Sequence, residues 1–242
     1  MWTIFSKELN TFFNSLIAYL VISVFLTAVG LLVWVFPDTS VLNYGYADLE
    51  TLFAFSPYVF MFLIPAITMR MFAEEKKSGT MELLFTNPVS DNALILGKYL
   101  SSLVIVFLAI IPTVVYYYSL VKLGQPEGNI DSAAVFGSYV GLLLLGGVFA
   151  AIGILSSAIT VNQITSFIIA VFLCFIMYSG LSSLANVNVW GDASLLLSQL
   201  SLSYHYEALG KGLIDSRNVI YLVSVIVIML AITKTVLSSR KW

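Results

Sequence analysis

A chain of 242 residues that is 60% hydrophobic and 10% charged, with a mean hydropathy of +0.97, exceeds what a water-soluble fold can bury; soluble domains are about 45–50% apolar and about 25% charged. The bilayer has to act as the solvent. The net charge of −2 gives no nucleic-acid footprint, and a single cysteine, Cys174, inside an apolar run excludes a disulfide framework and a cysteine metal cluster.

The chain opens on an amphipathic pattern. Phe5, Leu9, Phe12, Phe13 and Leu16 recur at helical spacing, and Lys7, Glu8, Asn10, Thr11 and Asn14 take the other face. This predicts an interfacial helix over 1–14, defined by Phe5, Lys7, Glu8, Leu9 and Phe12. The alternative is that the first span simply starts early. No small-residue cleavage site follows the first apolar segment, so the chain is expected to be uncleaved and whole from Met1 to Trp242.

Six segments then meet the need for about 20 apolar residues per crossing: 15–36, 51–72, 94–121, 133–155, 164–184 and 219–237. Pro57 and Pro65 in the second and Pro112 in the third predict kinks. With the N-terminus inside, eight of the Lys and Arg residues (Lys7, Arg70, Lys76, Lys77, Lys98, Lys234, Arg240, Lys241) fall on the cytoplasmic side and three (Lys122, Lys211, Arg217) outside. The positive-inside rule selects this orientation, and six spans bring the C-terminus back to the cytoplasm. The whole chain, 1–242, reads as one all-α transmembrane domain.

Gly137 and Gly141 form a GxxxG in the fourth span, which suits close helix packing within the fold or across a dimer. Residues 185–218 are too apolar for a solvated loop and too short in their apolar runs to span. One or two re-entrant or interfacial helices on the outer side are expected there, with Trp190, Tyr204 and Tyr206 at headgroup level.

Little here can do chemistry. No Asp, Glu, Lys, Arg or His occurs between Ser132 and Gly191, and intramembrane charges are what proton relays and ion-coupled carriers use. An intramembrane enzyme would need a base or a metal cluster. His205 is the only histidine, and Glu207 two residues on does not match a zinc-motif spacing. "LGKY" (96–99) and "LGKGL" (209–213) both fail as a P-loop. No catalytic residue, metal or cofactor is expected in the chain itself.

Residues 73–90, "AEEKKSGTMELLFTNPVS", gather five charged residues within nine positions, Glu74 to Glu82. "EEKK" can carry the second span into water as a solvated extension. Ser78–Gly79 then breaks it, and either Gly79 or Thr80 can cap a new short helix that ends before Pro88. Ser90, Asp91 or Asn92 caps the third span. Leu83, Leu84 and Phe85, framed by carboxylates and lysines, suit docking of a cytoplasmic partner.

The stretch 70–100, "RMFAEEKKSGTMELLFTNPVSDNALILGKYL", resembles the segment between spans 2 and 3 of ABC-2-type transporter permeases. Arg70, Glu74, Glu75, Lys76, Gly79, Thr80, Glu82, Leu83, Leu84, Pro88 and Lys98 match its pattern in place. Gly212, Ile214 and Asp215 resemble the family's outer segment before the last span. Within the family, the chain is most similar to the short permease subunit, the F component, of gliding-motility-associated transporters of Bacteroidetes.

The resemblance implies a multi-pass, non-catalytic subunit of the bacterial inner membrane. Residues 73–92 would form a coupling segment, with Glu74, Glu75, Lys76, Lys77, Gly79, Thr80, Glu82, Leu83, Leu84 and Phe85 against a separate cytoplasmic ATP-binding subunit that holds ATP and Mg. It implies an outer gate including Tyr204, His205, Gly212 and Asp215. It further implies pairing with a second membrane permease-like subunit or a second copy of the chain, surrounded by lipid and without nucleic acid. An ABC-2 permease of a drug, polysaccharide or lipid system, an ion-coupled secondary transporter and an intramembrane enzyme are the other readings.

Overall fold

The computed structural model describes residues 1–44, 46–81, 90–187, 193–212 and 214–239, and among these every regular element is helical. Helix α1 (Trp2–Phe13) ends at Asn14, and Ser15, in extended conformation, separates it from α2 (Leu16–Trp34). The Ser15 hydroxyl donates to the Phe12 carbonyl at 2.8 Å, closing the corner. The N-terminal helix is therefore a separate element and not an early start of the first span.

A short turn, α3 (Val41–Tyr44), leads to α4 (Glu50–Thr68), which continues after a break at Met69 as α5 (Arg70–Lys77). Helix α6 (Asp91–Ile110) runs through a 3-10 turn at Ile111–Thr113, where Pro112 sits, into α7 (Val114–Leu123). Ser90 caps α6, its hydroxyl accepting from the Ala93 N–H at 3.3 Å. Then come α8 (Ser132–Ile159), α9 (Gln163–Phe175), a π-helical turn at Ile176–Gly180 and α10 (Leu181–Ala185). Two short helices, α11 (Ala193–Leu200) and α12 (Leu202–Leu209), precede α13 (Ser216–Ser238).

Among the described residues six helical runs are long and apolar enough to cross a membrane: Leu16–Trp34, Glu50–Lys77, Asp91–Leu123, Ser132–Ile159, Gln163–Ala185 and Ser216–Ser238. An even number of crossings puts α1 and the end of α13 at the same end of the bundle, here called proximal. There Ser238 Oγ lies 3.5 Å from Asp91 Oδ2. The opposite, distal end carries α3, α11 and α12.

Helix α8 is the axis of the bundle, with α4, α6, α9, α12 and α13 packed around it. It can be central because its core-facing positions are small. A Cβ at Gly146 would come within 2.7 Å of Val106 Cγ1, and one at Gly153 would collide with the Thr68 side chain. The helices thus approach more closely than larger residues allow, which is how helices associate where lipid supplies no hydrophobic drive. A second, smaller core (Phe12, Ala18, Val21, Ile67, Met71, Ile105) binds α1 and α2 to α4, α5 and α6 at the proximal end.

Candidate functional site

Lys98 is the largest departure from an apolar interior. Placed in the third turn of α6, its side chain is 1% exposed. Its ammonium donates to Glu8 Oε1 at 2.8 Å, Glu75 Oε1 at 2.9 Å and the Met71 carbonyl at 2.7 Å. It also lies 5.1 Å from the centre of the Phe72 ring. All three ammonium protons have acceptors, so the cost of taking this charge out of water is offset by full pairing. Lys7 reaches Glu75 Oε1 at 3.3 Å from the exposed side. One buried lysine thus joins three elements: α1 through Glu8, α5 through Glu75 and Met71, and its own α6.

This corrects two expectations. Glu8 was assigned to the solvated face of α1, but it is buried, because it shares the helix face of Phe5 and Phe12 and that face packs on α6. Ile4 on the same face meets α6 at Gly97, where a Cβ would lie 3.0 Å from Ile4 Cγ2. Phe5 and Leu9 are half-buried, Lys7 is exposed and Phe12 is buried under the Arg70 guanidinium, 4.6 Å from its ring centre. The "EEKK" extension is likewise not simply solvated. Glu74 and Lys77 face outward, but Glu75 turns in to Lys98, and Lys76 donates to the Ala158 carbonyl of α8.

The break between α4 and α5 is held from α8. Ser157 Oγ accepts from the Phe72 N–H at 2.9 Å and the Ala73 N–H at 3.0 Å, and donates to the Met69 carbonyl at 2.9 Å. One hydroxyl so satisfies three backbone groups at a helix interruption.

At its other end α5 stops at Ser78 and Gly79. Gly79 has φ +71°, the left-handed conformation that glycine adopts freely at a helix C-terminus. The Ser78 hydroxyl donates to the Glu74 carbonyl at 2.9 Å and the Thr80 hydroxyl to the Glu75 carbonyl at 3.3 Å. Gly79 and Thr80 therefore close the preceding helix. Glu82, Leu83, Leu84 and Phe85 lie outside the described residues.

At the distal end, α11 and α12 sit where short outer helices were expected; Trp190 lies outside the described residues. His205 is held rather than free. Its Nε2 donates to the Gln199 carbonyl at 2.8 Å, its Nδ1 is 2.7 Å from Asn218 Oδ1, and its ring stacks on Tyr221 at 3.8 Å between centres. Tyr204 is half-exposed against the His205 ring. Asp215 caps α13 by accepting from the Arg217 N–H at 2.9 Å, and Gly212 turns at φ +82°. Tyr206, expected at headgroup level, faces the bundle and not its surface. It is buried, its hydroxyl donates to the Phe53 carbonyl at 2.7 Å, and burial holds its phenol well above the usual tyrosine pKa, so it stays a donor.

Gly137 and Gly141 face this region. A Cβ at Gly137 would strike the Leu209 carbonyl, and one at Gly141 would lie 3.3 Å from the Tyr206 ring. In this chain the pair lets α12 lie against α8.

A cavity of about 610 Å³ opens at the same end, between α4, α8, α12 and the π-helical turn. Among the described residues no group of three His, Cys, Asp or Glu side chains is placed to hold a metal ion.

A helical bundle with six membrane-length helices among the described residues defines a multi-pass membrane protein. Residues 22–233 match the family described as ABC-2 family transporter protein, and the chain belongs to that family as its transmembrane permease. Permeases of this family are in general non-catalytic and work with an ATP-binding partner subunit. No curated protein matches the chain.

Proposed function

We propose that the proximal end faces the cytoplasm of a bacterial inner membrane, and that the chain converts ATP hydrolysis in a separate subunit into export or a conformational change across that membrane. The ATP-binding subunit, which carries ATP and Mg, docks on residues 73–92. The exposed Glu74, Lys77, Gly79 and Thr80 belong to its contact surface, with Glu82, Leu83, Leu84 and Phe85 beside them. Helix α1 lies along the membrane interface.

The observation that carries this reading is the Lys98 knot. Whatever displaces α5 is felt at once by α1 and α6, because Glu75, Glu8 and Lys98 share one buried network. Glu75 then acts by linking α5 to the bundle and not by touching the partner.

The resemblance to the short gliding-motility permease subunit, which rests on length and on the lack of a large inserted outer domain, favours a gliding-motility system, in which the chain pairs with a second, longer permease subunit. A homodimer serving a drug, polysaccharide or lipid system is the other ABC-2 arrangement. Family membership favours either over an ion-coupled carrier or an intramembrane enzyme.

The test is co-purification of the chain with the products of neighbouring genes, followed by ATPase assay in nanodiscs. Charge reversal at Glu74 and Lys77 is expected to lower permease-dependent ATPase activity severalfold while leaving the melting temperature unchanged. If no ATPase co-purifies and the reversals leave activity intact, the reading fails.

A further inference from the structure

The distal cavity has walls of a kind that the coupling reading does not use. Its apolar side is aromatic: Phe53, Tyr58, Tyr178 and Tyr206 all line it. Tyr178 sits at the centre of this group, its ring edge-on to Tyr58 at 5.7 Å and 6.3 Å from the Tyr206 ring. The π-helical turn at Ile176–Gly180 presents it, and such single turns recur at functional sites.

The rim is acidic, with Asp48, Glu50, Asp131 and Glu207 against Lys211 alone. Asp48 and Asp131 are engaged in capping backbone N–H groups. Glu50 and Glu207 have no ion-pair partner among the described residues.

Two hydroxyl-bearing residues of the wall make no side-chain hydrogen bond to the described protein. Tyr178 is 5% exposed and Ser138 is 7% exposed, yet neither side-chain oxygen has a hydrogen-bond partner among the described residues. A wall oxygen that pairs with no protein group is free to pair with a molecule held in the cavity.

We propose that the distal cavity binds an organic ammonium, a protonated primary amine carried on an apolar body. Glu207 supplies the counter-charge. The Tyr178 and Ser138 oxygens accept from the ammonium N–H groups. The aromatic wall takes the apolar body and faces the cation with its π surface. A metal ion fits worse, since the carboxylates ring the mouth and do not converge on a point. An anion is opposed by the excess of carboxylates.

The experiment is titration calorimetry on the full chain in nanodiscs, with phenethylamine as probe and 2-phenylethanol, of the same shape without the charge, as control. Phenethylamine is expected to bind saturably, about tenfold or more tighter than the alcohol. Glu207→Gln and Tyr178→Phe should each weaken it severalfold without lowering the melting temperature. Should Tyr178→Phe not fold, Ser138→Ala tests the same pairing. Equal binding of amine and alcohol overturns the proposal. So does amine binding that survives both Glu207→Gln and a hydroxyl deletion, or the absence of saturable binding. None of these outcomes bears on ATPase coupling, which the Glu74 and Lys77 variants read separately.

Discussion

Lys98 sets the strongest expectation at the scale of single residues. Replacing it by Met leaves Glu8 and Glu75 beside each other with only the exposed Lys7 for a cation. Breaking a buried ion pair from one side costs about 3–5 kcal/mol, whereas replacing the whole set by apolar or neutral groups is often nearly neutral. Lys98→Met alone should therefore lower the melting temperature sharply. Adding Glu8→Gln and Glu75→Gln to it should restore most of the loss, a non-additivity expected of groups in one network. A triple variant no better than the single one would show that the carboxylates are satisfied by other means.

The members of this knot were visible in the sequence, but their pairing was not anticipated. A lysine in an apolar span must find a partner, and Glu75 lies in a recognised motif. Glu8 was misread because a carboxylate was assigned to the polar face by chemistry, although its spacing from Phe5 and Phe12 puts it on the buried one. Only tertiary packing of α1 on α6 makes that spacing decisive.

Among the elements, the helix boundaries were the most readable. The 14/15 boundary and the Ser90 cap were expected from local backbone chemistry, whereas Asp215, read as a gate residue, turns out to cap a last helix that starts at Ser216 and not at 219. The interruption at Met69 was not readable at its true position. Pro57 and Pro65 announce a bend, but its location depends on Ser157, 88 residues away from Met69 in sequence.

Ser157→Ala should orphan the Phe72 and Ala73 N–H groups at a cost of about 1–3 kcal/mol. Faster hydrogen exchange at those two amides, with the distal helices unaffected, is the expected signature. Gly153→Val drives a side chain into Thr68 and should destabilise by about 1–3 kcal/mol. Thr68→Ala should recover part of that loss, and a Gly153→Val chain as stable as the parent would show that α4 and α8 can separate at little cost.

At the scale of the whole molecule, composition and hydropathy were enough to establish a six-span helical bundle, since each crossing has to satisfy its own backbone. They could not show that α8 would be the axis. That follows from the small residues on several of its faces at once, a property of the assembled neighbours and not of one amphipathic stripe.

Sidedness is testable directly. Glu127→Cys, in the exposed distal turn, should react with a membrane-impermeant maleimide on intact cells, and Lys77→Cys only after permeabilisation. The native Cys174 is fully buried and gives little background. Reversed labelling would invert the topology and remove the basis for cytoplasmic docking at residues 73–92.

The Ser157 hydroxyl has a mechanical meaning as well. Because it clasps Met69, Phe72 and Ala73 together while Lys76 holds the end of α8, the interruption at Met69 is a pivot whose bearing belongs to another helix. Helix α5 is a stub fixed to the central shaft, not the loose tail of α4. Under the proposed docking, force on the stub has two routes into the bundle, one to α8 through Ser157 and Lys76 and one to α1 and α6 through Lys98.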